Sequence, residues 1–107
     1  MIVVTRYRVP EGAAGAFSRD ADAALAVLAA QSGFVDAWLG HNTDEPDLWA
    51  LTLLWRDVRS YRRALSAYDV KVSAVPLLSR ALDEPSAYVV VRAWRDEAAA
   101  DGSLGGS

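Results

Sequence analysis

The sequence predicts an α+β domain of β-α-β-β-α-β order, with a four-stranded antiparallel sheet and both helices on one face. Three observations carry this. Two stretches of apolar residues at helical spacing, near residues 17–28 and 58–68, each lie between β-rich runs. Two runs of similar length, 34–41 and 48–55, flank one polar turn, as a β-hairpin requires. The second of these, Leu48-Trp-Ala-Leu-Thr-Leu-Leu-Trp55, is apolar on both faces, which suits a central strand covered on each side.

Taken in order, residues 2–9 are rich in β-branched side chains and end at the turn signal Pro10-Glu11-Gly12. Val3, Thr5, Tyr7 and Val9 share one face of this strand, and Ile2, Val4, Arg6 and Arg8 the other. A helix is predicted over residues 13–30, its stripe formed by Phe17, Ala21, Leu25 and Leu28. Gly33 suits the left-handed conformation that stops it. After the hairpin, Asp57 is a good N-cap for a second helix that carries Val58, Tyr61, Leu65 and Tyr68 inward. That helix breaks near Tyr68-Asp69; Pro76 opens a further turn through Leu82. Residues 86–94 are predicted as the fourth strand. Residues 95–107, rich in Ala, Gly and Ser, are predicted as a flexible tail, leaving 1–94 as the one domain. Short right-handed crossovers give the ferredoxin-like topology. Its second sheet face, with Ile2, Val4 and part of the third strand, is too apolar to meet water, so a homodimer packed sheet to sheet is expected.

Composition removes several classes of function. The 107 residues are 52% hydrophobic and 23% charged, enough for a core and too ordered in pattern for disorder. A net charge of −3 offers no basic face for nucleic acid. With no cysteine there is no disulfide, thiolate metal site or thiol nucleophile. Neither a signal peptide nor a run of about 18 apolar residues is present, so a cytoplasmic protein without a membrane span is expected. No dinucleotide fingerprint, P-loop or metal-spaced cluster occurs. Asp44, Glu45 and Asp47 are interrupted by Pro46 and suit a solvated turn; a single His41 supports no triad.

The ordered set Val9-Pro10-Glu11-Gly12, Gly33-Phe34, Trp55-Arg56-Asp57, Tyr61 four residues later and Pro76-Leu77-Leu78 resembles the antibiotic biosynthesis monooxygenase family of the dimeric α+β barrel superfamily. The resemblance covers about residues 1–94. It implies the fold above, a pocket between helices and sheet, and a choice among cofactor-independent oxygenases of polyphenolic or quinol compounds, haem-degrading oxygenases and members of unknown role. Haem-degrading members place an Asn in the first strand and a Trp and an iron-ligating His on and after the second helix. The matching positions here are Thr5, Ala64 and about Ala74, so haem degradation is not expected. His41, at a strand end beside a polar turn, is more simply a rim histidine than a ligand or base.

What remains is oxidation without cofactor or metal, in which an electron-rich phenolate or enolate reduces molecular oxygen directly. The protein must then supply a dry aromatic pocket, a group that positions the proton and a donor for the oxyanion. Four Trp and four Tyr can line it. Thr5, Tyr7 and Tyr61 are the candidate catalytic hydroxyls, with Asp36, Trp49 and Tyr68 as candidate substrate contacts. Each has a plainer role. Tyr61 and Tyr68 suit an amphipathic core, Trp55 packing at the strand–helix corner, Trp38 a dimer interface, and Arg6 with Asp36 an interface ion pair. The alternative function is non-catalytic: a dimeric module binding a small apolar molecule, or an accessory protein of a biosynthetic pathway.

Overall fold

Alternation in the first β-branched run becomes strand β1, Ile2–Arg8, with Val3, Thr5 and Tyr7 buried and Ile2, Val4 and Arg6 half-buried. The computed structural model describes residues 1–96, so the tail assigned to 95–107 lies outside the described residues from position 97 onward. Two further full strands follow, β2 (Phe34–His41) and β3 (Leu48–Trp55), and a two-residue β4 (Ala87–Tyr88). The sheet order is β2-β3-β1-β4 with every pairing antiparallel, which is the predicted α+β, ferredoxin-like topology.

Helix α1, Ala14–Ala29, enters through a 3₁₀ turn at Glu11–Ala13 and buries Phe17, Ala21, Ala24 and Leu28. Leu25, placed on the stripe by sequence, is only half-buried, and Ala24 takes the contact. Gly33 ends the connection with φ +91°, and a Cβ there would collide with the Ser60 side chain. Both facts require glycine at this position.

The second helical region divides into α2 (Val58–Ser66), α3 (Tyr68–Ser73) and α4 (Val75–Leu78). Asp57 caps α2 as predicted, its carboxylate accepting from the Ser60 N–H at 2.7 Å. Ala67 is extended (φ −69°, ψ 140°) and interrupts the helix. The break rotates the next turn, so that Val70 and Ala74 are buried and α3 and α4 pack on α1. Tyr68, predicted to continue the inward stripe, is instead 78% exposed.

The fourth strand is much shorter than the predicted 86–94. Tyr88 pairs with Ile2, the first residue of β1, and the β1–β4 ladder ends at that pair. Val89, Val91 and Trp94 are correspondingly more than 70% exposed. Further along β1, the Val4 N–H donates to the Ser86 carbonyl and the Leu82 N–H to the Arg6 carbonyl, which covers that edge. The core lies on the helix side of the sheet, around Val3, Tyr7, Phe17, Leu51, Leu53 and Trp55. The other face, with Ile2, Val4, Ala50, Leu54, Asp36 and Trp38, carries no helix among the described residues. No helix of the described residues is long and apolar enough to cross a membrane.

Candidate functional site

The β1–β3 register sets Thr5 opposite Leu51 and Tyr7 opposite Trp49, all on the helix side. There the Thr5 and Tyr7 hydroxyl oxygens are 2.9 Å apart. Thr5 Oγ1 also lies 3.4 Å from the Leu51 carbonyl, to which it can only donate. Between Thr5 and Tyr7 either hydroxyl can donate to the other. Tyr7 is 1% exposed, and burial pushes its phenol above the usual value of 10.0, the Thr5 hydrogen bond and the Arg80 charge opposing. Tyr7 is therefore a neutral donor near pH 7. That suits it to stabilise a developing oxyanion and not to remove a proton.

Tyr61, on α2, is half-buried and also raised, first by burial and then by Tyr7. Folded-state values above the unfolded ones mean that the protonated phenols add stability in full below about pH 10, which is lost as pH rises through the raised values. Tyr7→Phe should thus flatten the alkaline fall in melting temperature above about pH 10. A melting-temperature profile unchanged in shape would show that the Tyr7 phenol ionises as freely in the fold as in the open chain.

Trp55 is the residue that sequence reasoning underrated. Its ring meets Phe34 at 5.5 Å, nearly perpendicular, and Tyr61 at 5.7 Å, which is the corner packing expected. Yet its indole nitrogen is buried with no hydrogen-bond partner among the described residues. An unpaired buried donor costs about 1–3 kcal/mol, so its retention needs a reason. The sequence signal was present in the Trp55-Arg56-Asp57 corner with Tyr61 one turn into the helix, but only the structure reveals the unpaired N–H.

The candidate residues do not form one group. Thr5, Tyr7 and Tyr61 come together in the helix–sheet interior. Trp49 stands at its end, its ring 5.4 Å from Phe17, which is 5.0 Å from Tyr7. Asp36 lies opposite Leu54 on the helix-free face, with Trp38. Tyr68 is outside the interior, which corrects its inward placement on the second helix. Arg6 makes two hydrogen bonds of 2.7 Å to Glu84 within its own chain, not a pair with Asp36.

Open space adjoins both ends of the interior. Thr5 borders a hollow of about 360 Å³ with Leu78, Ala81 and Glu84. Trp49 and His41 border two others: about 390 Å³ on the helix-free face beside Arg6, Trp38 and Thr52, and about 510 Å³ beside Pro10, Glu11, Pro46 and Asp47. His41 is exposed at the rim, its ring 5.5 Å from Trp49. Ala64 and Ala74, the positions matched to haem-binding residues, are buried among core side chains. Among the described residues no group of three or more His, Asp or Glu could hold a metal ion.

The antibiotic biosynthesis monooxygenase family model matches residues 1–72. No curated protein sequence matches the chain. Among solved structures it is similar to SnoaB, a cofactor-independent oxygenase from Streptomyces nogalater, at 24% identity and TM-score 0.72, over 87% of this chain and 93% of that one. It is also similar to a conserved protein from Methanosarcina mazei (20%, TM-score 0.65, covering 80% and 84%). A third is Rv0793 from Mycobacterium tuberculosis (17%, TM-score 0.63, covering 89% and 95%). At these identities the structural likeness speaks for the fold.

Proposed function

The chain belongs to the antibiotic biosynthesis monooxygenase family, and from that premise we propose that it is a cytoplasmic, homodimeric, cofactor-independent monooxygenase of a small aromatic, polyphenolic or quinol-type compound. The observation that carries the reading is the Thr5–Tyr7 hydroxyl pair, 2.9 Å apart and buried in an otherwise apolar, aromatic interior. Such a substrate loses a proton to give a phenolate or enolate, whose electron-rich carbon adds to molecular oxygen as a peroxide. Where the carbon that takes up the peroxide also carries a hydrogen, loss of water then leaves a carbonyl, so one oxygen atom enters the product and the other leaves as water. Tyr7, backed by the Thr5 hydroxyl, holds the oxyanion, Tyr61 the phenolic edge, and the Trp55 N–H, unpaired among the described residues, is a further donor. Trp49 receives the aromatic body. Phe17, between Trp49 and Tyr7, must swing aside for a ring to reach the hydroxyls. Asp36, on the helix-free face, contacts substrate only from the side that a partner subunit covers.

Oxygen uptake with a panel of hydroquinones, in chelator and with no cofactor added, tests this directly. Uptake matched mole for mole by product carrying one new oxygen is expected. A second reading, a non-catalytic binding or pathway accessory protein, is favoured by one observation, the 1% exposure of Tyr7. It prevails if no quinol supports uptake while one binds.

The homodimer rests on the helix-free face and on the exposed Val89, Val90, Val91 and Trp94 beyond β4. Sedimentation at micromolar concentration should give about twice the 11.5 kDa chain mass. A stable monomer would remove the sheet-to-sheet interface.

A further inference from the structure

We infer that the hollow floored by Trp49 selects cationic aromatic ligands, so that the aromatic substrate bears an amine or comparable positive group. The inference deepens the proposed function and rests on its reading of Trp49 as the residue that receives the aromatic body. The hollow measures about 510 Å³, within the range of small-molecule sites, and is the largest of those bordering the candidate residues. Trp49 is half-buried, and its ring packs against Phe17 at 5.4 Å, steeply inclined, and against His41 at 5.5 Å, tilted. A supported indole face of this kind suits a flat ring or a cation lying over it.

The walls are two proline-bearing turns, at Pro10 and Pro46, and they are fixed to each other. The Val9 N–H donates to the Asp47 carbonyl at 2.7 Å. Within the hairpin turn the Asn42 side-chain oxygen accepts from the Asp44 and Glu45 N–H groups, both at 2.9 Å. The site is thus preformed, which spares a ligand the cost of ordering it.

Charge then decides what it takes. Two carboxylates, Glu11 and Asp47, stand on the rim. Arg8 pairs with Asp47 at 3.3 Å and with Glu45 at 3.6 Å, so that its single positive charge is shared by two acids. The Glu11 carboxylate has no ion-pair or hydrogen-bond partner among the described residues and is exposed beside the hollow. An indole floor under a net negative rim attracts an organic cation and repels an aromatic acid.

Three probes of one shape separate the possibilities: 1-naphthylmethylammonium, 1-naphthylmethanol and 1-naphthoate, titrated into the full chain at low salt. Binding is read from the indole N–H resonance of Trp49, assigned with Trp49→Leu. The ammonium is expected to bind at least ~5-fold more tightly than the alcohol, and the carboxylate most weakly. Glu11→Gln, an exposed substitution that leaves the fold alone, should reduce the ammonium's advantage to within about twofold. Equal affinity of ammonium and alcohol overturns the charge selection and leaves Trp49 as an aromatic-binding residue. If none of the three moves the Trp49 resonance, the inference and that reading of Trp49 fall together, while oxygen uptake still judges catalysis separately.

Discussion

Tyr7→Phe is expected to lower turnover of a confirmed substrate by at least ~10-fold, and by about a hundredfold if Tyr7 is the principal oxyanion donor. The size follows from where the hydroxyl sits. In an interior from which water is excluded, a fixed donor strengthens as charge develops and costs no reorganisation. The substitution deletes one oxygen and leaves the ring against Phe17, at 5.0 Å, undisturbed. Its stability cost should stay under ~1.5 kcal/mol, since Thr5 keeps the Leu51 carbonyl as partner. Thr5→Val is the companion test. It strips Tyr7 of its hydroxyl partner, so its turnover loss should be similar but its stability cost larger. Loss confined to kcat with KM unchanged would mark an interaction made in the transition state. Both variants oxidising substrate at the parental rate would remove the hydroxyl pair from the mechanism.

Gly33→Ala should be the most damaging single-methyl change in the chain, at about 2–4 kcal/mol and roughly 10–20 °C in melting temperature. Two penalties combine. At φ +91° any side chain is strained, and the added methyl would run into Ser60, which is 2% exposed at the start of α2. The segment cannot back away, because the Gly33 carbonyl accepts from the Arg56 N–H at 2.7 Å and ties the end of α1 to the end of β3. Adding Ser60→Gly should relieve the collision but not the backbone strain. Calorimetry of the double variant would therefore recover part of the loss. Full recovery would mean that the backbone conformation itself costs nothing there.

The elements that sequence displays best are those whose periodicity is local. β1 alternates over its full length, β3 is apolar on both faces and lies centrally between β1 and β2, and Asp57 caps α2 by contacts within four residues. Failures arise where a distant partner decides. Whether residues 86–94 form a long strand depends on how far β1 extends opposite them, and β1 stops at Ile2. The inward stripe through Tyr68 fails because Ala67 leaves the helix so that Val70 can reach α1, a tertiary demand with no sequence mark. Of the site, the hydroxyls of Thr5, Tyr7 and Tyr61 follow from strand parity and helical spacing. The unpaired Trp55 N–H does not, since an indole looks the same in a sequence whether or not its hydrogen finds an acceptor.

Strand β2 pairs Phe34 with Trp55 and Asp36 with Leu54, leaving Val35 as an extra residue in the ladder. In a regular strand Phe34 and Asp36 would share a face; here the aromatic ring joins the core and the carboxylate does not. For the lineage that carries this sequence, Val35 is a spare codon. Losing it would leave every downstream pairing of β2 as it stands. Losing Leu39, four codons later, would drive either the residues before it or those after it through the sheet to the wrong side. Length variation among descendants of this chain should accordingly concentrate at the start of β2 and avoid its middle.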